Sequence, residues 1–114
     1  MSKTELREAT IKIRELIERY KKEGVLGKNQ CRISQNLSRF GSAVSPQSFG
    51  NWYSGKYIPS RELIDSLMES LEKAQKWAYH MPNPEIYVSA VNFVNEMSEI
   101  RREHDSKQAD QETE

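Results

Sequence analysis

The chain lacks most of what small proteins use for covalent reinforcement, membrane insertion or catalysis. It has a single cysteine, Cys31, so no disulfide can close within it, and a reducing, cytoplasmic compartment fits. That thiol is expected to be inert and partly buried. No apolar run approaches the roughly 20 residues that span a bilayer, and Met1-Ser2-Lys3-Thr4-Glu5 does not open a secretory signal. Its two histidines, His80 and His104, stand far apart and outside any grouping at metal-ligand spacing, so no metal is expected. A Gly-rich phosphate loop, a Ser-His-Asp or Cys-His arrangement and paired carboxylates suited to a cleft are also missing. The carboxylates fall instead at helical ion-pair spacings such as Glu15 to Arg19. Neither an enzyme nor a cofactor-binding protein is expected.

One local absence says more. Formal net charge is zero, yet residues 24–61 contain no Asp or Glu at all while carrying Lys28, Arg32, Arg39, Lys56 and Arg61. Residues 1–23 have a net charge of +2 and residues 62–114 a net charge of −7. Phosphate suits a surface without carboxylates, because each carboxylate would repel it. Charge alone leaves chance clustering open as the alternative.

Strand-like alternation and internal repeats are absent as well, and the apolar residues follow helical spacing. Residues 3–22 read as an amphipathic helix with Leu6, Ile13, Leu16, Ile17 and Tyr20 on one face, ended by Gly24. A shorter helix fits Lys28 to Arg39, with Ile33 and Leu37 pointing the same way. Phe40-Gly41-Ser42-Ala43-Val44 is a loop. Ser45-Pro46 starts a third helix, since serine caps it and proline at the first position has no donor to waste. Gly55 stops that helix, and Lys56-Tyr57-Ile58-Pro59 connects to a fourth, capped by Ser60, whose buried face is Leu63, Ile64, Leu67, Met68 and Leu71. The pattern leaves open whether this helix ends near Glu72, with a restart by Lys73, or runs on toward His80. Pro82-Asn83-Pro84 interrupts, and a last helix carries Ile86, Ala90, Phe93, Met97 and Ile100 at the 4-3-4-3 spacing of a coiled-coil seam. From Glu103 onward the chain is polar and acidic and is expected to be disordered.

The expected architecture is therefore all-α. A four-helix DNA-binding domain occupies residues 1–80, a dimerisation helix residues 81–102 and a disordered tail residues 103–114. Within the domain the second and third helices form a pair. Gln30, Ile33-Ser34 and Leu37 shape the first member, and Val44, Phe49 and Trp52 anchor the second. That leaves Gln47, Ser48 and Asn51 on the open face of the third helix. Gln and Asn amides can bond adenine in two places, and serine serves several bases. Gly50 would let a backbone approach closely, whether DNA or the preceding helix.

The segment Val44-Ser45-Pro46-Gln47-Ser48-Phe49-Gly50-Asn51-Trp52-Tyr53-Ser54-Gly55-Lys56-Tyr57-Ile58-Pro59-Ser60 resembles the recognition-helix signature of the Cro-like (XRE, phage-repressor type) helix-turn-helix family. Asn29-Gln30 with Ile33-Ser34 resembles the start of the family's preceding helix. The resemblance covers about residues 5–72. It implies that Gln30 braces Gln47 or touches phosphate, that Gln47, Ser48 and Asn51 face the major groove, and that Lys56 contacts phosphate. Ser45, Arg39 and Tyr57 complete the expected DNA-binding set. The chain departs from the pattern in the long turn from Ser38 to Val44, in Tyr53 where the family often has Glu, and in the bulk of Phe49.

A single helix pair covers few base pairs, so a homodimer joined through Ile86, Ala90, Phe93, Met97 and Ile100 is expected to read two half-sites. The expected function is a transcriptional regulator, a repressor by resemblance, that occupies double-stranded DNA without a catalytic step. Two rivals stand beside it: a protein-interaction module of the antitoxin or adaptor kind, and an architectural or segregation protein that coats repeated DNA sites. In the latter, the acidic tail offers a hook for a protein partner.

Overall fold

A computed structural model describes residues 3–41 and 44–112, with side chains placed from Glu8 to Lys107 outside the gap. Ser42 and Ala43 of the expected loop, Leu6 as a core side chain, and the last two residues of the expected tail lie outside the described residues. Five helices follow in order and no strand occurs among the described residues: α1 Lys3–Glu23, α2 Gln30–Ser38, α3 Pro46–Ser54, α4 Arg61–Ala78 and α5 Pro84–Glu112.

The boundaries have local chemical causes. Asn29, Ser45 and Ser60 each stand in extended backbone, and the side chain of each accepts the amide three residues on, at Arg32, Ser48 and Leu63. Pro46 and Pro84 occupy first helical positions, where a missing N–H costs nothing. Gly55 ends α3 at φ 83°, a left-handed turn that a side chain would strain. α4 continues past Glu72 to Ala78, because Ala74 and Ala78 extend its buried face.

α5 is the spine of the molecule and packs against both α1 and α4, while α3 packs on α1 and α2 on α3. Aromatic rings join these layers. Phe93 meets Tyr20 of α1 edge-on at 5.1 Å and stacks with Phe49 of α3 at 6.1 Å, and Phe49 in turn lies 5.5 Å from Trp52. At the other end Phe40 touches Trp77 and Tyr87, and the Tyr87 hydroxyl donates to the carbonyl of Leu71.

This arrangement corrects the expectation for the last helix. Ala90, Phe93 and Met97 are at most 1% exposed within one chain, and Ile86 and Ile100 are partly buried against the same core. The 4-3-4-3 stripe is therefore the inner face of the chain's own bundle and not a free seam for a second copy. Spacing alone does not separate the two cases, since any helix lying between two others needs such a stripe. Side chains on both sides of residue 81 share that core. The expected disorder from Glu103 is also replaced by helix, as α5 runs on to Glu112. No glycine or proline interrupts it, and docking on α1 holds it: Glu103 pairs with Lys12, Lys107 with Glu8, and His104 is buried.

Among the described residues no helix is long and apolar enough to cross a membrane.

Candidate functional site

α2 and α3 are nine residues each and lie against one another. On α2, Ile33, Ser34 and Leu37 are buried. The small Ser34, fully enclosed, satisfies its own hydroxyl by donating to the carbonyl of Cys31 at 2.8 Å. Ser38 fastens the turn between the helices: its hydroxyl accepts the amide of Val44 at 2.9 Å and shares its one proton between the carbonyls of Ser34 at 2.9 Å and Val44 at 3.1 Å. The long turn is thus tied at both ends by a single side chain. Phe49 and Trp52 are enclosed in the core, which fixes the rotation of α3 about its axis.

With that face inward, the opposite face of α3 is turned to solvent and carries only uncharged polar groups. Gln47 is exposed, and Ser48 and Asn51 are half-exposed. Ser45 donates to the Ser48 hydroxyl at 3.0 Å, and the Asn51 amide donates to the Tyr57 hydroxyl at 3.3 Å. The Asn51 bond first, then the Ser48 side chain, lowers the Tyr57 phenol below the ordinary value. The ring itself is exposed and does not cover the core. Five of the expected site residues, Ser45, Gln47, Ser48, Asn51 and Tyr57, therefore share one face, with exposed Lys56 beside them in the connector. Gly50 is half-exposed among them, and a Cβ built on it would meet nothing within 4 Å. Close approach of α2 is therefore not what requires a glycine there.

The remaining two expected residues stand apart. Gln30 opens α2, half-buried, and no hydrogen bond joins it to Gln47 among the described residues. Arg39 caps the far end of α2 and lines a different groove, with Lys28 and Arg32. Cys31 is exposed rather than partly buried, with the Gln35 amide 3.6 Å from its sulfur. Sequence reasoning missed Ser54, which is exposed on α3 and donates to the carbonyl of Asn51. Its three-residue spacing from Asn51 was the available signal.

The charges on this side are left over. Lys28, Arg32, Arg39 and Lys56 are exposed and form no ion pair among the described residues, while Arg61 alone of the carboxylate-free segment reaches a partner, Asp105 at 3.7 Å. No family model, no curated protein and no solved structure matches this chain.

Proposed function

We propose that the protein is a sequence-specific, duplex-DNA-binding regulator in which α2 and α3 act as a helix-turn-helix and α3 enters the major groove. The observation that carries this reading is the solvent face of α3. It is a rigidly oriented row of uncharged donors and acceptors, free of carboxylate, with a glycine at its centre that no intrachain contact explains. Gln47 and Asn51 supply amides of the kind that bond adenine in two places, and Ser48 supplies a hydroxyl that suits several bases. Gly50 lets the helix backbone come close to the floor of the groove, and Lys56 supplies charge to a phosphate at the rim. Regulation is by occupancy of an operator, with no catalytic step. Repression is the sign that the resemblance to phage repressors favours. A homodimer, should one form on DNA, needs a joint other than the buried stripe of α5.

Selection from a random duplex library followed by anisotropy titration tests the assignment. Gln47→Ala and Asn51→Ala should each cost about 1–3 kcal/mol on the selected site and relax preference at one position, with melting unchanged. Failure to enrich any sequence, or equal losses on all duplexes, overturns it.

A second reading, in which the chain binds another protein, is favoured by one observation. Trp77 and Tyr79 are 45% and 55% exposed beside Phe40 and Tyr87, where α4 hands over to α5. Exposed aromatic clusters of this kind are common at protein contacts. Trp77→Ser with Tyr79→Ser should leave DNA affinity intact if the first reading holds.

A further inference from the structure

Three cations that the polar face of α3 does not use line a groove of their own. It is an open trough of about 460 Å³ between the 24–29 loop, the outer flank of α2 and the first turn of α5. Lys28, Arg32 and Arg39 stand along it with the side chains of Asn29 and Asn36, and no carboxylate is among its lining residues. Glu23 and Glu85, the nearest acids in the chain, are not part of that lining. On α2 this flank faces away from Ser38, whose hydroxyl reaches Val44 in the segment leading into α3.

The trough is rigidly built. A Cβ on Gly27 would come within 2.7 Å of the Ile33 amide nitrogen, so only glycine lets the loop lie this close to α2. Asn36 donates to the carbonyl of Leu26 at 2.5 Å, and the Leu26 side chain is fully buried below. Gly24 takes φ +76° to turn the chain out of α1. Lys28, Arg32 and Arg39 are therefore set on an ordered base, without a counter-ion among the described residues.

Their spacing indicates the shape of the ligand. Arg32 and Arg39 are seven residues apart, nearly two turns, which separates them by about 10 Å along the helix axis. Lys28 stands on the loop that Gly27 folds against the first turn of α2. A small phosphorylated ligand needs donors that converge in an enclosed pocket, whereas Arg32 and Arg39 stand nearly two turns apart and all three cations are exposed. A chain of regularly spaced phosphates meets such a row one charge at a time.

We propose that this trough holds the phosphodiester backbone of duplex DNA as a sequence-independent anchor, separate from the polar face of α3. The proposal takes its partner from the reading above, yet it fails separately from it. The full-length chain carrying Lys28→Gln, Arg32→Gln and Arg39→Gln is titrated, over a range of salt, with a duplex of the selected sequence and with a scrambled duplex of equal length. Both affinities should fall by the same factor, and the log–log salt slope should shrink by about 2–3, at roughly 0.9 for each phosphate that is no longer neutralised. Unchanged affinity and slope overturn the anchor, and so does a loss confined to the selected duplex. Asn51→Ala provides the separation. If that variant keeps wild-type preference while the triple variant loses both duplexes, the anchor stands and the assignment of α3 falls. Inorganic tripolyphosphate, followed by amide shifts of Gly24, Lys28 and Arg39, tests the other source of phosphate. Saturation by tripolyphosphate with no duplex binding overturns the backbone assignment. The three positions are exposed, so the variant should melt with the wild type. Should it not, Arg39→Glu alone should still weaken both duplexes equally, and no change there overturns the proposal.

Discussion

The flank formed by α1 and α5 and the flank formed by α2 and α3 are both rich in cations and treat them in opposite ways. Between α1 and α5 the charges are matched across the helices: Lys12 with Glu103 at 3.1 Å, Arg19 with Glu96, and Lys107 with Glu8 at 3.1 Å. Tyr20 joins the same set by donating to Glu96 at 2.5 Å, and burial first, then that bond, raises its phenol above the ordinary value. In the loop before α2, on α2 and its cap, and in the connector after α3, Lys28, Arg32, Arg39 and Lys56 have no such partners among the described residues. Two carboxylates of the acidic C-terminal half, Glu96 and Glu103, thus serve to dock α5 on α1. The positive charge of the middle segment is left uncancelled by the fold, except at Arg61. Exposed ion pairs contribute little stability each, so the matched flank gains mostly register and orientation. The unmatched flank keeps a positive field that no carboxylate among the described residues cancels.

This contrast can be broken at several points. The largest effect is expected where α5 meets both layers. Phe93→Ala should destabilise the fold by about 3–5 kcal/mol, through the forfeited transfer energy and the cavity left among Tyr20, Phe49 and Met97. Phe93→Asp with Met97→Asp should abolish the cooperative melt altogether, because two charges would be buried without partners. A folded double mutant would return the stripe to the role of an outward seam.

Next come the two small residues of the unmatched flank, with opposite signs. Gly27→Ala should lower stability by about 1–3 kcal/mol, since backbone at 2.7 Å cannot yield as a flexible side chain would. Gly50→Ala should instead raise stability, by up to about 1 kcal/mol, because it gains helix propensity and meets no atom within 4 Å. The same substitution should weaken DNA binding. Thermal melting beside an anisotropy titration reads both, and a Gly50→Ala chain that is both more stable and fully active would remove the argument for close backbone approach.

The smallest effect concerns the matched flank and pH. Lys12, by hydrogen bond and then by charge, holds the Glu103 carboxyl below its ordinary value. Its contribution is therefore present above the unfolded carboxylate value of about 4.3 and is lost as pH falls through the lower folded value. Acid melts of the wild type should decline over that range, and Lys12→Gln should flatten the decline slightly. No difference between the two would mean that the pair is wholly screened. The unmatched flank should add nothing to this dependence, having no carboxylate to protonate.

Much of this was legible from residue order because its causes are local. Ser45 and Ser60 as caps, Pro46 as a first position and Gly55 as a stop depend on atoms a few residues apart, and the structure has all of them where the sequence places them. The second helix, expected from Lys28, begins instead at Gln30, capped by Asn29. Phe49 and Trp52 inward with Gln47 and Asn51 outward follows from helical period alone once one face is apolar. The carboxylate-free middle segment is likewise a property of sequence. What only tertiary structure decided is whom each surface meets. The stripe from Ile86 to Ile100 reads the same whether it faces a second chain or the chain's own α1 and α4, and burial chose the latter. Residues 103–112 look like tail until Lys12 and Glu8 on α1 offer them partners, at sequence separations of 91 and 99 residues. Arg39 and Lys28 come to share one trough because Gly27 and Asn36 fold the loop onto α2. Period and capping are set by bonds within a turn of helix. Partnership is set by distances between helices, which residue order does not contain.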